Sequence, residues 1–191
     1  MADGVVKALW RFPVLGMRGE SVRSSQIDAR GMAGDRQHYA RGPEGPLTAQ
    51  DVPRLTGWTA TFPFNPDGAI APDRPPPFPL FTDPSGLRTW RWRDPRLFHA
   101  LEKDLGRAVD LCRDLELTRG VIVSTAEPDP AAGINIHLDL ELPRSGWAGR
   151  ELVFGEGVRL RLVASRADGP GIEARVVESG RIVVGDPVTL G

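Results

Sequence analysis

Ile134-Asn135-Ile136-His137-Leu138-Asp139-Leu140-Glu141-Leu142 alternates apolar and polar residues without a break. Successive side chains of an extended strand point to opposite faces, so the aliphatic residues share one face. Asn135, His137, Asp139 and Glu141 share the other. The stretch reads as a half-buried β-strand. Outward from it, 158–163 repeats the pattern, with Val158, Leu160 and Leu162 set against Arg159 and Arg161. Shorter strand signals fall at 5–12, 21–29, 56–62, 87–93, 108–112, 119–124, 174–177, 181–184 and 187–190, punctuated by Gly and Pro. One helix stands out over 95–105: Asp94 suits the N-cap, Pro95 the first turn and Gly106 the position past the end. Its apolar stripe is Leu97, Phe98, Leu101 and Leu105. So many short strands against one strong helix make the class mainly β, and closure into a barrel is the economical way to remove their edges.

The 191 residues suffice for one sizeable core. With 24 basic and 25 acidic residues, the net charge of -1 argues against a nucleic-acid or anionic-membrane binder. Lys7 and Lys103 are the only lysines, so almost all positive charge is the planar, bidentate guanidinium. Cys112 is the single cysteine, so no internal disulfide forms. The amino terminus lacks a signal peptide's apolar core and no apolar run reaches bilayer length, so a cytoplasmic location is expected. The proline-dominated stretch 65–79 reads as an extended surface connection.

Gly31-Met32-Ala33-Gly34-Asp35-Arg36 is a corner: glycines for crowded or positive-φ backbone, an acid to accept backbone N–H groups, and an arginine suited to an anion. On the strand 134–142, His137 and Asp139 would stand roughly 7 Å apart in one row. The row reads either as a solvated face or as an acid–base pair, the carboxylate orienting the imidazole. His38 follows Arg36 by two residues. Three scattered histidines give no metal-ligand spacing.

In order and spacing, four stretches resemble the MOSC family, named for the carboxy-terminal domain of molybdenum-cofactor sulfurases and shared with amidoxime-reducing proteins. They are Leu9-Trp10-Arg11-Phe12-Pro13-Val14 with Met17-Arg18-Gly19-Glu20; the corner 31–36; Leu47-Thr48-Ala49-Gln50 with Pro53-Arg54-Leu55; and the tail, Trp147-Ala148-Gly149-Arg150, Phe154-Gly155-Glu156-Gly157-Val158 and Gly180-Arg181-Ile182-Val183-Val184-Gly185-Asp186-Pro187-Val188. The resemblance implies a β-barrel related to that of pyruvate kinase, with an amino-terminal β segment (1–64), a Pro-rich connection (65–86), a barrel core (87–191) and one or two short helices. It also implies a ligand mouth containing Arg36 and Asn135. The departures are specific. Leu15 and Gly16 stand where cofactor-binding members carry Lys-Ser, and the arginines before Asn135 are missing. The loop 164–171, where the family cysteine belongs, has none. A molybdenum centre of this type needs a thiolate, so Cys112, read as a small buried hydrophobe, leaves no cofactor expected.

The expectation is therefore a divergent MOSC-fold enzyme that uses no cofactor. It would act on a small molecule, an anion among the options, by acid–base or electrostatic catalysis in the former cofactor mouth. His137 and Asp139 are the catalytic candidates, and Arg36, Asn135, Arg18 and His38 the ligand-binding ones, with no metal. The alternatives are a molybdenum-cofactor-binding or sulfur-carrier protein, and a non-catalytic ligand- or partner-binding module.

Overall fold

The computed structural model describes residues 2–63, 70, 74–115, 120–141, 146–155, 157–166 and 171–191. Its centre is a closed barrel of seven strands. Around the ring these are Ile136–Asp139, Val121–Ser124, Ile172–Glu178, Val158–Ser165, Glu151–Phe154, Pro187–Leu190 and Ala2–Arg11, the last pairing back onto the first. Every pairing is antiparallel except that of Val121–Ser124 with Ile136–Asp139. Alternation works as the sequence demands: Ile136, Leu138, Leu152, Leu160, Leu162 and Leu190 point into the barrel and are almost fully buried. Closure depends on a close approach. A Cβ at Gly4 would stand 2.2 Å from the Asp139 carbonyl oxygen, so only glycine lets the first strand meet Ile136–Asp139 there.

Between the first barrel strand and the second, the chain builds another core. Val14, Leu55, Trp58, Phe81, Leu97 and Leu101 are buried in it. Around them lie the sheet of Thr59–Thr61, Leu80–Thr82 and Thr89–Arg91, the sheet of Asp110–Arg113, His38–Gly42 and Gly45–Pro46, and the helix Pro95–Leu105. The helix has the ends that its sequence encodes: the Asp94 side chain accepts from the Arg96 N–H, and Gly106 takes the left-handed conformation at φ 68°. A 3-10 turn, Pro53–Gly57, is the second short helical element.

The mainly β class and the barrel are as expected. Residues 89–113 contribute to the second core, while the amino-terminal strand completes the barrel. The ends of the chain are therefore neighbours, Ala2 pairing with Leu190. Of the Pro-rich connection, 65–69 and 71–73 lie outside the described residues, as do Arg119 and Leu142 of two expected strands.

Candidate functional site

The corner 31–36 hangs on one strand end. Strand Gly31–Met32 pairs with Ser24–Asp28, and Gly34, at φ 78°, turns the chain back toward Phe12. There the Phe12 N–H donates to Asp35 Oδ1 at 2.8 Å, and the Arg36 N–H donates to the Phe12 carbonyl. Arg36 itself has φ 51°, the one non-glycine residue in that region among the described residues. Such a conformation costs on the order of 1 kcal/mol for a residue with a Cβ. The side chain it positions lies 3.0 Å from Asp35 Oδ2, stands over the Phe12 ring and donates to the Gly133 carbonyl. Burial pushes the Asp35 carboxyl above its ordinary value, opposed by Arg36, the Phe12 N–H, Asn135 and Arg11.

Arg166, just past strand Val158–Ser165, reaches the same turn from the other side and donates to the Ala132 carbonyl at 2.9 Å. A Cβ on Gly133 would lie 3.4 Å from a guanidinium nitrogen of each arginine. Two cations thus converge on one turn. They line an open cavity of about 470 Å³, with Gly16, Thr48, Gln50, Ile122 and Glu173 among its other walls. That volume falls in the range of small-molecule sites.

The candidates read from the sequence separate here. Arg36 lines the cavity. Asn135 does not; it braces the wall from behind, fully buried. Its Oδ1 accepts from the Ile122 N–H at 3.0 Å and its amide donates to the Trp10 carbonyl at 3.3 Å, tying two barrel strands at the cavity end. Arg18 is exposed, and its contribution is backbone: its N–H and carbonyl bond Trp58 and Ala60. His38 is sealed in the second core, Nδ1 on the Pro13 carbonyl at 3.2 Å and its ring edge-on to Trp92 at 4.9 Å. Burial, with the nearby Arg113, pushes it down to about 4, so it stays neutral near pH 7.

The row shared by His137 and Asp139 is not one exposed face. His137 is fully buried, its Nδ1 on the Ala126 carbonyl at 3.1 Å, and burial lowers its basicity. Asp139 faces solvent on the same strand. The loop that follows Ser124 folds over one and leaves the other bare, and neither lines the cavity. Cys112, on strand Asp110–Arg113 opposite Tyr39, is half-buried rather than buried and also lies outside the cavity wall.

A molybdenum centre held by a protein thiolate does not fit this donor set. The cavity presents guanidinium, carboxylate, hydroxyl and amide groups, and the sequence's one thiol is elsewhere. Among the described residues no cluster of His, Cys, Asp and Glu could hold a metal ion. No helix among them is long and apolar enough to cross a membrane.

Two groups that sequence reasoning missed complete the site: Arg166 and Glu173. Thr48 and Gln50 lie in a stretch already noted for its resemblance. The outward position of Glu173 could be read from alternation with the buried Ala174, but the wall it joins could not.

Residues 3–74 match the family described as the MOSC N-terminal beta barrel domain. The crystal structure of the YuaD protein from Bacillus subtilis is similar over 100% of this chain and 98% of that chain, with 12% sequence identity and a TM-score of 0.48. No curated protein matches the chain. Over residues 3–74 the chain thus matches the MOSC family that its sequence resembles, through that family's N-terminal beta barrel domain.

Proposed function

We propose that this protein binds a small molecule by an anionic group held between Arg36 and Arg166. The convergence of two guanidiniums on the carbonyls of Ala132 and Gly133 carries the reading. A guanidinium has five N–H donors, and at Arg36 the Gly133 carbonyl and Asp35 use only some of them. Bringing like charges together favours an acceptor that serves both, and a carboxylate matches the guanidinium fork. Phe12, Leu15, Met17 and Ile122 supply apolar wall for the rest of such a molecule. Acid–base turnover by His137 and Asp139 forms no part of this reading, since neither reaches the cavity.

Hexanoate and hexanamide differ in charge but hardly in shape, so titrating each into the protein by NMR isolates the anion. Hexanoate is expected to bind saturably at a mouth mapped by Gly133 and Gly120, and more weakly as salt is raised. Arg166→Gln should weaken it about tenfold, the loss of one charge-assisted hydrogen bond. Equal binding of hexanamide would contradict the reading.

A further inference from the structure

The cavity is not simply cationic. Strand Ile172–Glu178 alternates, Ala174 pointing into the barrel and Glu173 outward. The register sets Glu173 directly beside Ile122 of the neighbouring strand, so both face the cavity. Gly171 sharpens the arrangement: a Cβ there would meet Ile122 Cγ2 at 2.5 Å and Arg166 Cδ at 3.1 Å. The glycine thus leaves room for both Ile122 and the Arg166 stem, and Ile122, Arg166 and Glu173 line one cavity. Glu173 makes no hydrogen bond or ion pair among the described residues, although two guanidiniums line the same space.

Charge accounting points the same way. Arg36 is paired with Asp35 behind it, and the wall that Arg36 and Arg166 line also carries the Glu173 carboxylate. A wall that serves a dianion gains from cations alone; this one presents both signs of charge. Building on the anion reading above, we infer that the ligand is zwitterionic, a small molecule with a carboxylate at Arg36 and Arg166 and an ammonium or amidinium group at Glu173. Gly120 and Glu173 also border an adjoining cavity of about 410 Å³, so the cationic end has room to extend past the carboxylate.

The test is a length series of unbranched ω-amino acids, from glycine to 6-aminohexanoate, titrated beside the carboxylates that lack the amine. At one length the amino acid is expected to bind about tenfold more tightly than its plain carboxylate, the worth of one charge-assisted contact. Glu173→Gln, a conservative change at an exposed position, should erase that advantage without weakening the plain carboxylate, which is relieved of a like charge. Amino acid and carboxylate binding equally at every length would overturn the zwitterion inference and leave the anion reading standing, as would an advantage that survives Glu173→Gln. Failure of every probe, plain carboxylates included, would overturn both.

Discussion

Glu20→Ala is expected to destabilise the protein by about 3–5 kcal/mol, the cost of removing one partner from a buried ion pair. Arg11 is fully buried, and its Nε and Nη2 both donate to Glu20 Oε1, the first at 2.8 Å. The other oxygen, Oε2, accepts from the Phe62 N–H at 3.1 Å, and the guanidinium stands over the Phe62 ring at 4.9 Å. Glu20 therefore joins the last residue of the first barrel strand to Phe62, just past strand Thr59–Thr61, which clusters with Ala33 and Ile70. Its loss strips two bonds from a buried cation and one from a buried backbone donor. Urea unfolding of Glu20→Ala and Glu20→Gln measures it. Gln keeps an acceptor and should fall between wild type and Ala; a change below about 1 kcal/mol in Ala, the level of an exposed pair, would contradict this account.

Arg36→Ala should have two separable consequences. Hexanoate binding should weaken roughly tenfold to hundredfold, because a hydrogen bond to a charged group contributes about 1.5–3 kcal/mol. Stability should fall as well, because Asp35 is left buried without its cation. The pH dependence identifies the cause. A carboxyl whose value is raised by folding holds its proton more tightly in the folded state, so stability falls as pH rises from its ordinary value, 3.8, through the raised one. Arg36 opposes that rise; removing it lifts Asp35 further and widens the window. The variant's deficit should thus be small near pH 3, where Asp35 is protonated in both states, and reach about 3–5 kcal/mol near pH 7. A deficit independent of pH would assign the loss to packing instead. Arg36→Gly, which relieves the positive φ, should show the same pH trend.

Local rules made part of this molecule legible. The helix ends are written in Asp94, Pro95 and Gly106, each acting within a turn of itself. The alternation over 134–142 placed Ile134, Ile136, Leu138 and Leu140 correctly in the buried face. Alternation says nothing about what covers the other face, and there the expectations for His137 and Asn135 parted from the structure. His137 is buried by a loop that folds back from Ser124, and Asn135 spends its amide on bridging strands that are distant in sequence. Arg166 and Glu173 escaped notice because no motif links them. Only barrel closure, with its register of Glu173 against Ile122, brings them to the corner at Arg36. The pairing of the amino-terminal strand has a related cause. That the strand Ala2–Arg11 would pair with both Ile136–Asp139 and Pro187–Leu190 is a non-local choice, and composition does not encode it.

A crystal soaked with hexanoate shows whether Arg36 and Arg166 jointly hold an anionic group. Carboxylate density is expected between the two guanidiniums, oxygens about 2.7–2.9 Å from their nitrogens, with the alkyl chain against Ile122 and Phe12. Hexanoate bound elsewhere, or an empty cavity at a concentration that saturates the NMR titration, would contradict it.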